Sequence, residues 1–448
     1  MVRLTAGRGI VLRRTRQIAA ALLALLMAGC AGPFERMPVP TGLAEERASL
    51  VHIEGGRFWG DEQPKDIRAE MARRLPNLGE LGRSADVANG RKQIQALALS
   101  GGGPDGAFGA GVLAGWTKRG TRPEFEHVTG VSAGAIIAPF AYLGPEYDSK
   151  LEEIWTAYGT TDLVTPQFVV GLLGGDALID TTPLKNLIAK YVDRQFLKEV
   201  AREYRRGRVL MIGTTNLDAK RPVVWNMGEI AIHDSQEAVE LFRDVILASA
   251  SIPGLFPPVN IKVKVDGKIY DEMHVDGGVT RQIFITPVNL PLSAFDALYS
   301  KPPERKLYLV QNSKMNAEYA PVKQTTFEIA SSSILTLLQS QHRGDIYRIY
   351  RMARDSKAEF NTISVPAEFH YDAKEKFDLG YQRALFAEGF RLGQVGAWSR
   401  KPADAPDGQK PRAPDALPAP PEDPGDGGAP QGPNKPAAPM ASNRLSAL

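Results

Sequence analysis

The sequence predicts an α/β domain built on a largely parallel sheet. Three observations carry this. The runs "IQALALS" (94–100), "HVTGVS" (127–132) and "RVLMIGTTNL" (208–217) are nearly continuously apolar, as strands covered on both faces must be. Segments of helical periodicity lie between them. Strand and helix alternate in this way from about residue 93 to residue 398, the order that packs helices against a parallel sheet.

Each element has its own signal. In "DTTPLKNLIAKYV", Thr182 reads as an N-cap and Pro183 as the first helical residue, with Leu184, Leu187, Ile188 and Tyr191 on one face. In "SQEAVELFRDVI", Ser235 is the expected cap and Val239, Phe242 and Ile246 point inward. The stretch "IKVKVDGKIYDEMHV" predicts a hairpin turning at Asp266-Gly267. Further on, "SSILTLLQSQHRGDIYRIYRMA" predicts helix that packs on the domain or touches lipid, with core packing the favoured use.

Bulk composition limits the function classes. With 448 residues, 43% hydrophobic and 23% charged, the chain can bury a sizeable core. Its 54 basic and 51 acidic residues give a net charge of +3, and no segment carries the one-sign run that nucleic-acid binding needs. One cysteine excludes an internal disulfide framework and a Cys-rich zinc site.

That cysteine sits in an informative place. Arg3, Arg8, Arg13, Arg14 and Arg16 precede the apolar stretch Ile18–Ala28, and "LMAGC" places small residues before Cys30. A basic end, an apolar segment too short to span a bilayer and a small-residue cleavage site make a secretory signal. The pattern resembles a bacterial lipoprotein signal, with Met27 where leucine is usual. The resemblance implies a signal peptide over 1–29 and lipidation of Cys30, which would hold the protein to a membrane. Ala31 after the cysteine favours the outer membrane, facing the periplasm. Residues 30–92 read as a tether and loosely structured lead-in without chemistry. Residues 399–448 read as a disordered tail: from Pro402 onward there are 12 of the chain's 33 prolines and no aromatic residue.

The candidate chemistry lies in three short stretches. "SGGGPDGAFGAG" (100–111) places six glycines in twelve positions directly after a predicted strand. Gly101-x-Gly103-x-x-Gly106 satisfies the dinucleotide-binding pattern, in which backbone N–H groups and a helix N-terminus hold a pyrophosphate. That reading also requires an acidic residue at the end of the second strand. Instead that strand ends in Gly130-Val131-Ser132-Ala133-Gly134, a G-x-S-x-G sequence between strand and helix, the context of a nucleophile elbow. A serine needs a base. His274, His233, His342 and His370 could complete a triad with an acid, but none has a recognisable local setting. Asp276, which ends a predicted strand before Gly277-Gly278, is the better candidate.

Together "GGGPDG", "GVSAG" and "DGG" resemble the patatin-like phospholipases, in order and spacing, and "DALIDTTPL" (176–184) and "ASASIPGLFPPV" (248–259) also look familial. The resemblance covers roughly residues 94–290 and extends weakly to 398. It implies the patatin-like three-layer fold, a central largely parallel sheet flanked by helices. It also implies a Ser132–Asp276 dyad with no required histidine, an oxyanion hole from the amides of Gly101, Gly102 and Gly103, and motif glycines at 106, 130, 134, 277 and 278. The expected activity is hydrolysis of acyl lipids, of phospholipase A or lysophospholipase type, with no metal or cofactor. Asp105 stands where many members carry a basic residue. Gly109, Gly111 and Gly115 are expected to serve helix packing. Two other classes stay open at this point, a dinucleotide-binding oxidoreductase and a catalytically silent envelope lipoprotein.

Overall fold

A computed structural model of the chain describes residues 36–42, 47–51, 53, 55–62, 87–88, 91–166, 179–286, 291–298, 301–317 and 319–403. The expected signal peptide, Cys30 and most of the C-terminal tail lie outside the described residues.

Five strands form a parallel core. They are β2 (Arg91–Leu99), β3 (His127–Val131), β4 (Val209–Asn216), β8 (Glu304–Lys314) and β9 (Glu359–Val365), in the spatial order β9-β8-β2-β3-β4. The helices cover both faces, as the alternation along β2 requires. Leu97 and Leu99 pack with α1 (Gly106–Arg119) and α2 (Ala133–Leu143). Ala96 and Ala98 pack on the other side with Ile346, Ile349 and Ala353 of α7 (Thr326–Asp355). Three layers result.

The predicted hairpin is present as β6 (Val259–Val265) and β7 (Lys268–Asp276), turning at Asp266 and Gly267, both at positive φ (49° and 86°), as the right-handed twist of a two-residue hairpin demands. Its placement decides the site. On one flank β4 pairs with β5 (Arg221–Asn226) over 211–216. The other flank is shared: β3 takes residues 209–213 and β7 takes 214–216. A parallel and an antiparallel strand therefore meet end to end along β4, with Val131 opposite Gly213 and Asp276 opposite Thr214.

Two sequence expectations are corrected. Helix α4 (Thr182–Tyr191) is capped from Thr181, not Thr182, and the capping oxygen comes from Asp180, whose Oδ1 accepts from Thr182 N at 2.9 Å. In α7 only the C-terminal half is core. Ile329, Leu335 and Leu337 in its first half are exposed.

The lead-in also does more than tether. β1 (Arg57–Trp59) pairs with β5, and Leu50 and Ile53 are buried in the main core. Arg57 reaches over the faces of Trp59 and Trp225 and pairs with Glu272 of β7, Nη2 to Oε1 at 2.9 Å. Burial pushes the Glu272 carboxyl up, but His274 and Arg57 outweigh this and hold it at about 2.

Helix α1 lies against α8 (Leu379–Val395) with almost no room between backbones. A Cβ on Gly111 would sit 2.1 Å from the Phe386 carbonyl oxygen, and one on Gly115 2.0 Å from that of Phe390. Gly389 and Gly393 answer from α8, each 2.2 Å from a carbonyl oxygen of α1. These glycines are packing residues, and α1 fixes the turn that precedes it. Because the obstacle is backbone, Gly115→Val should destabilise the fold by about 2–3 kcal/mol, read as a lower denaturant midpoint at unchanged slope. An exposed control, Gly344→Ala, where nothing lies within 4 Å of the added carbon, should not.

Candidate active site

Ser132 occupies the corner between β3 and α2 at φ 54°, ψ −122°. A non-glycine residue at positive φ costs of order 1–3 kcal/mol and is held only by its surroundings. Here Gly134 provides them, since a Cβ there would lie 2.2 Å from the Leu99 carbonyl oxygen. The elbow thus packs directly on the end of β2. Gly130 faces Gly134 in the same close way, 2.3 Å from its carbonyl oxygen. Ser132 N donates to Ser249 Oγ at 2.9 Å, and Ser249 Oγ donates to the Gly213 carbonyl at 2.7 Å.

The end-to-end meeting of β3 and β7 delivers Asp276 to this corner. The Ser132 side chain and the Asp276 carboxyl face each other across this corner, and Gly278 N donates to Asp276 Oδ1 at 2.7 Å. Asp276 N is itself held by the Ser251 carbonyl at 2.9 Å. Burial of the carboxyl, 1% exposed, raises it from the ordinary 3.8 to about 6, against the Ser132 hydroxyl and the Gly278 amide, which favour the charged form. Gly277 allows the approach to β4, where a Cβ would lie 2.3 Å from the Gly213 carbonyl oxygen.

The glycine turn comes to the same corner. After Ser100, the chain makes a 3-10 turn over Gly103–Asp105 and enters α1 at Gly106, against whose Cα the Trp155 ring is packed. Asn312 pins the turn: its N donates to Ser100 Oγ at 2.9 Å and its Nδ2 donates to the Ser100 carbonyl at 2.8 Å. At Gly102 a Cβ would meet the Asn312 carbonyl oxygen at 1.9 Å. The three amides expected to act together do not. Gly101 N donates to the Gln282 carbonyl at 3.1 Å, so Gly101 is tied to the scaffold and cannot serve as a donor to a developing charge. Among the described residues, the amides of Gly102 and Gly103 carry no such bond. Asp105, the departure noted in the turn, accepts from the Tyr381 hydroxyl at 2.6 Å.

The histidines are accounted for differently. His274 is fully buried, with Nδ1 3.0 Å from Thr214 Oγ1 and Nε2 3.2 Å from Glu272 Oε2. Both its nitrogens are engaged away from Ser132. His342 lines the cavity but is bonded to Gln311 Oε1 at 3.1 Å, and burial pushes it down to about 4. His370 also borders the cavity, and His52 lies outside the described residues.

Ser132 and Asp276 open onto a cavity of about 560 Å³. Its far walls are apolar, with Phe140, Trp155, Leu187, Ile188, Ile246 and Phe256 among them. Leu184, Leu187, Ile188 and Tyr191, which the sequence places on one helix face, form one wall. Sequence reasoning missed Ser249, Ser251, Asn312 and Gln282. Two of these stand in "ASASIPGLFPPV", a stretch noticed without a role.

Residues 97–288 match the family model for patatin-like phospholipase. This segment is a patatin-like domain. The match spans the glycine turn, Ser132 and Asp276, and it supports a lipid-hydrolysing esterase. No curated protein matches the chain. Among solved structures, similarity extends to VipD from Legionella pneumophila, at 11% identity over 70% of each chain with a TM-score of 0.34. It extends also to human GIVD cytosolic phospholipase A2, at 11% identity over 78% of this chain and 64% of that one, with a TM-score of 0.31.

The raised carboxyl of the patatin-like domain has a stability consequence. Its folded-state value lies above its unfolded one, so the fold loses stability as pH rises from about 4 to about 6 and the loss is complete above. Asp276→Asn should therefore stabilise the protein at pH 8, by on the order of 2–3 kcal/mol, and leave it nearly unchanged at pH 4. Denaturant titrations at the two pH values check this.

Proposed function

We propose that the protein is a serine acyl hydrolase of membrane lipids, of phospholipase A or lysophospholipase type, working through Ser132 and Asp276. The observation that carries this reading is the strained serine facing a buried carboxyl in the wall of an apolar cavity large enough for an acyl chain.

In the proposed mechanism Ser132 Oγ attacks the ester carbonyl carbon as its proton passes to Asp276. A carboxylate lifted to about 6 is matched to that transfer near neutral pH. The oxyanion takes the amides of Gly102 and Gly103 at the N-terminal end of α1, each good donor contributing about 3–4 kcal/mol. Collapse breaks the bond to the alkoxy oxygen, which receives the proton from Asp276. Water then attacks the acyl-serine as Asp276 takes its proton, and collapse breaks the bond to Ser132 Oγ, which recovers the proton from Asp276 as the fatty acid leaves. A histidine has no part in this scheme. The apolar walls take the acyl chain.

The proposed setting is the cell envelope. The signal over 1–29 and Cys30 support export and lipid anchoring, beside the substrate, at the outer membrane facing the periplasm. Replacing Cys30 by serine should then move the protein from the membrane to the soluble fraction.

Fatty-acid release from phospholipid, lysophospholipid and short-chain nitrophenyl esters tests the activity. Ser132→Ala and Asp276→Asn should each lower kcat/KM by about a thousandfold or more. His274→Asn should retain activity in its folded fraction. The kcat/KM profile should rise with pH through about 6, where Asp276 ionises, and then level. Release of fatty acid from none of these esters by wild-type protein would overturn the reading.

A further inference from the structure

One polar side chain at the site has no assignment. Gln282 lines the cavity and is 9% exposed, and its backbone is clamped on both sides: its N donates to Asp345 Oδ2 at 2.9 Å, and its carbonyl accepts from Gly101 N at 3.1 Å. The residue that consumes the Gly101 amide thereby carries its own carboxamide into the corner. A carbon added at Gly101 would lie 2.4 Å from Gln282 Oε1 and 3.1 Å from Ser132 Cβ. One added at Gly278 would lie 2.4 Å from Gln282 Nε2 and 2.9 Å from Asp276 Oδ1. The carboxamide therefore spans from the serine side to the aspartate side. Among the described residues neither of its polar atoms has a hydrogen-bond partner. The carboxamide is thus open to the cavity and available to a bound substrate.

Its orientation follows from charge. The NH2 group belongs beside the Asp276 carboxylate, and the oxygen, which would repel that carboxylate, belongs on the Gly101 side. A donor beside Asp276 faces the atom to which Asp276 returns its proton. In the mechanism above that atom is the alkoxy oxygen of the ester.

We propose that Gln282 is a further catalytic residue, whose side-chain Nε2–H donates to the leaving alkoxy oxygen of the substrate. The inference rests on the Ser132–Asp276 reading above. Gln282 transfers no proton. As the bond from carbon to the alkoxy oxygen breaks, its hydrogen bond strengthens on the growing negative charge, and Asp276 supplies the proton that makes the alcohol. The effect is largest for poor leaving groups. An alkyl or glyceryl oxygen needs this help, whereas a nitrophenolate departs without it.

The experiment compares kcat/KM for ethyl butyrate and 4-nitrophenyl butyrate, which share one acyl chain, in wild type, Gln282→Met and Gln282→Glu. Both variants keep the side-chain length and remove the donor. Labelling of Ser132 by a fluorophosphonate, and a thermal melt, identify the folded fraction. The alkyl-to-nitrophenyl ratio of kcat/KM should fall at least tenfold in both variants. Gln282→Glu should also move the acid limb of the pH profile upward, because a second carboxylate beside Asp276 opposes its ionisation. An unchanged ratio in the folded fraction would overturn the proposal, whether both rates fall together or neither falls. If either variant does not fold, the other decides, and a leaving-group series on wild type gives an independent measure: a steep dependence of kcat/KM on leaving-group acidity also overturns it. Loss of all hydrolysis in Gln282 variants with Ser132→Ala still active would instead refute the dyad itself.

Discussion

The site depends on two strands sharing one flank of β4. β3 ends opposite Gly213 and β7 ends opposite Thr214, so the residues that follow or close them are forced into contact within the sheet's own hydrogen-bond lattice. No loop has to fold over to join them. A serine hydroxyl and a carboxylate from segments 144 positions apart in sequence are thereby placed as rigidly as neighbouring ladder residues. Precision at this level is what a proton transfer requires.

The same arrangement carries its own costs. Holding Ser132 at positive φ and burying Asp276 both destabilise the fold locally. They are offset by dense packing around the corner, where backbone meets backbone at Gly102, Gly130, Gly134 and Gly277. Glycine is required at these points because carbonyl oxygens occupy the space a Cβ would fill. The two long glycine-bearing helices, α1 and α8, extend this rigidity outward from the turn. Stability and reactivity are thus distributed over different residues of one corner.

Much of this was legible in the sequence. Three of the five parallel strands, the hairpin and the capped helix at Ser235 follow from apolar runs and turn chemistry, which are local signals; the strands over Glu304–Lys314 and Glu359–Val365 were not read from the sequence. The three glycine stretches converge on one corner of the fold, where most of their glycines are demanded by a close approach and Gly103 by its positive φ. What was not legible is long-range partnership. Nothing in the sequence says that Gln282 would take the Gly101 amide, that Asn312 would pin the turn from β8, or that Ser249 would hold the elbow. Such bonds are set by tertiary register, and single serines, asparagines and glutamines carry no pattern that reveals it. The misreading of α7 has a related cause: its periodicity is uniform, but only the half lying over β8 and β9 finds a partner.

Arg57 lies forty residues before the first position of the family match, Leu97, yet it supplies the cation for Glu272 on the strand that ends in Asp276. The unit of kinship and the unit of folding therefore do not coincide. A domain excised at the boundary of the match would keep every motif and still leave a carboxylate, 2% exposed, with its guanidinium gone. The strand would then have to yield at the end that carries the chemistry.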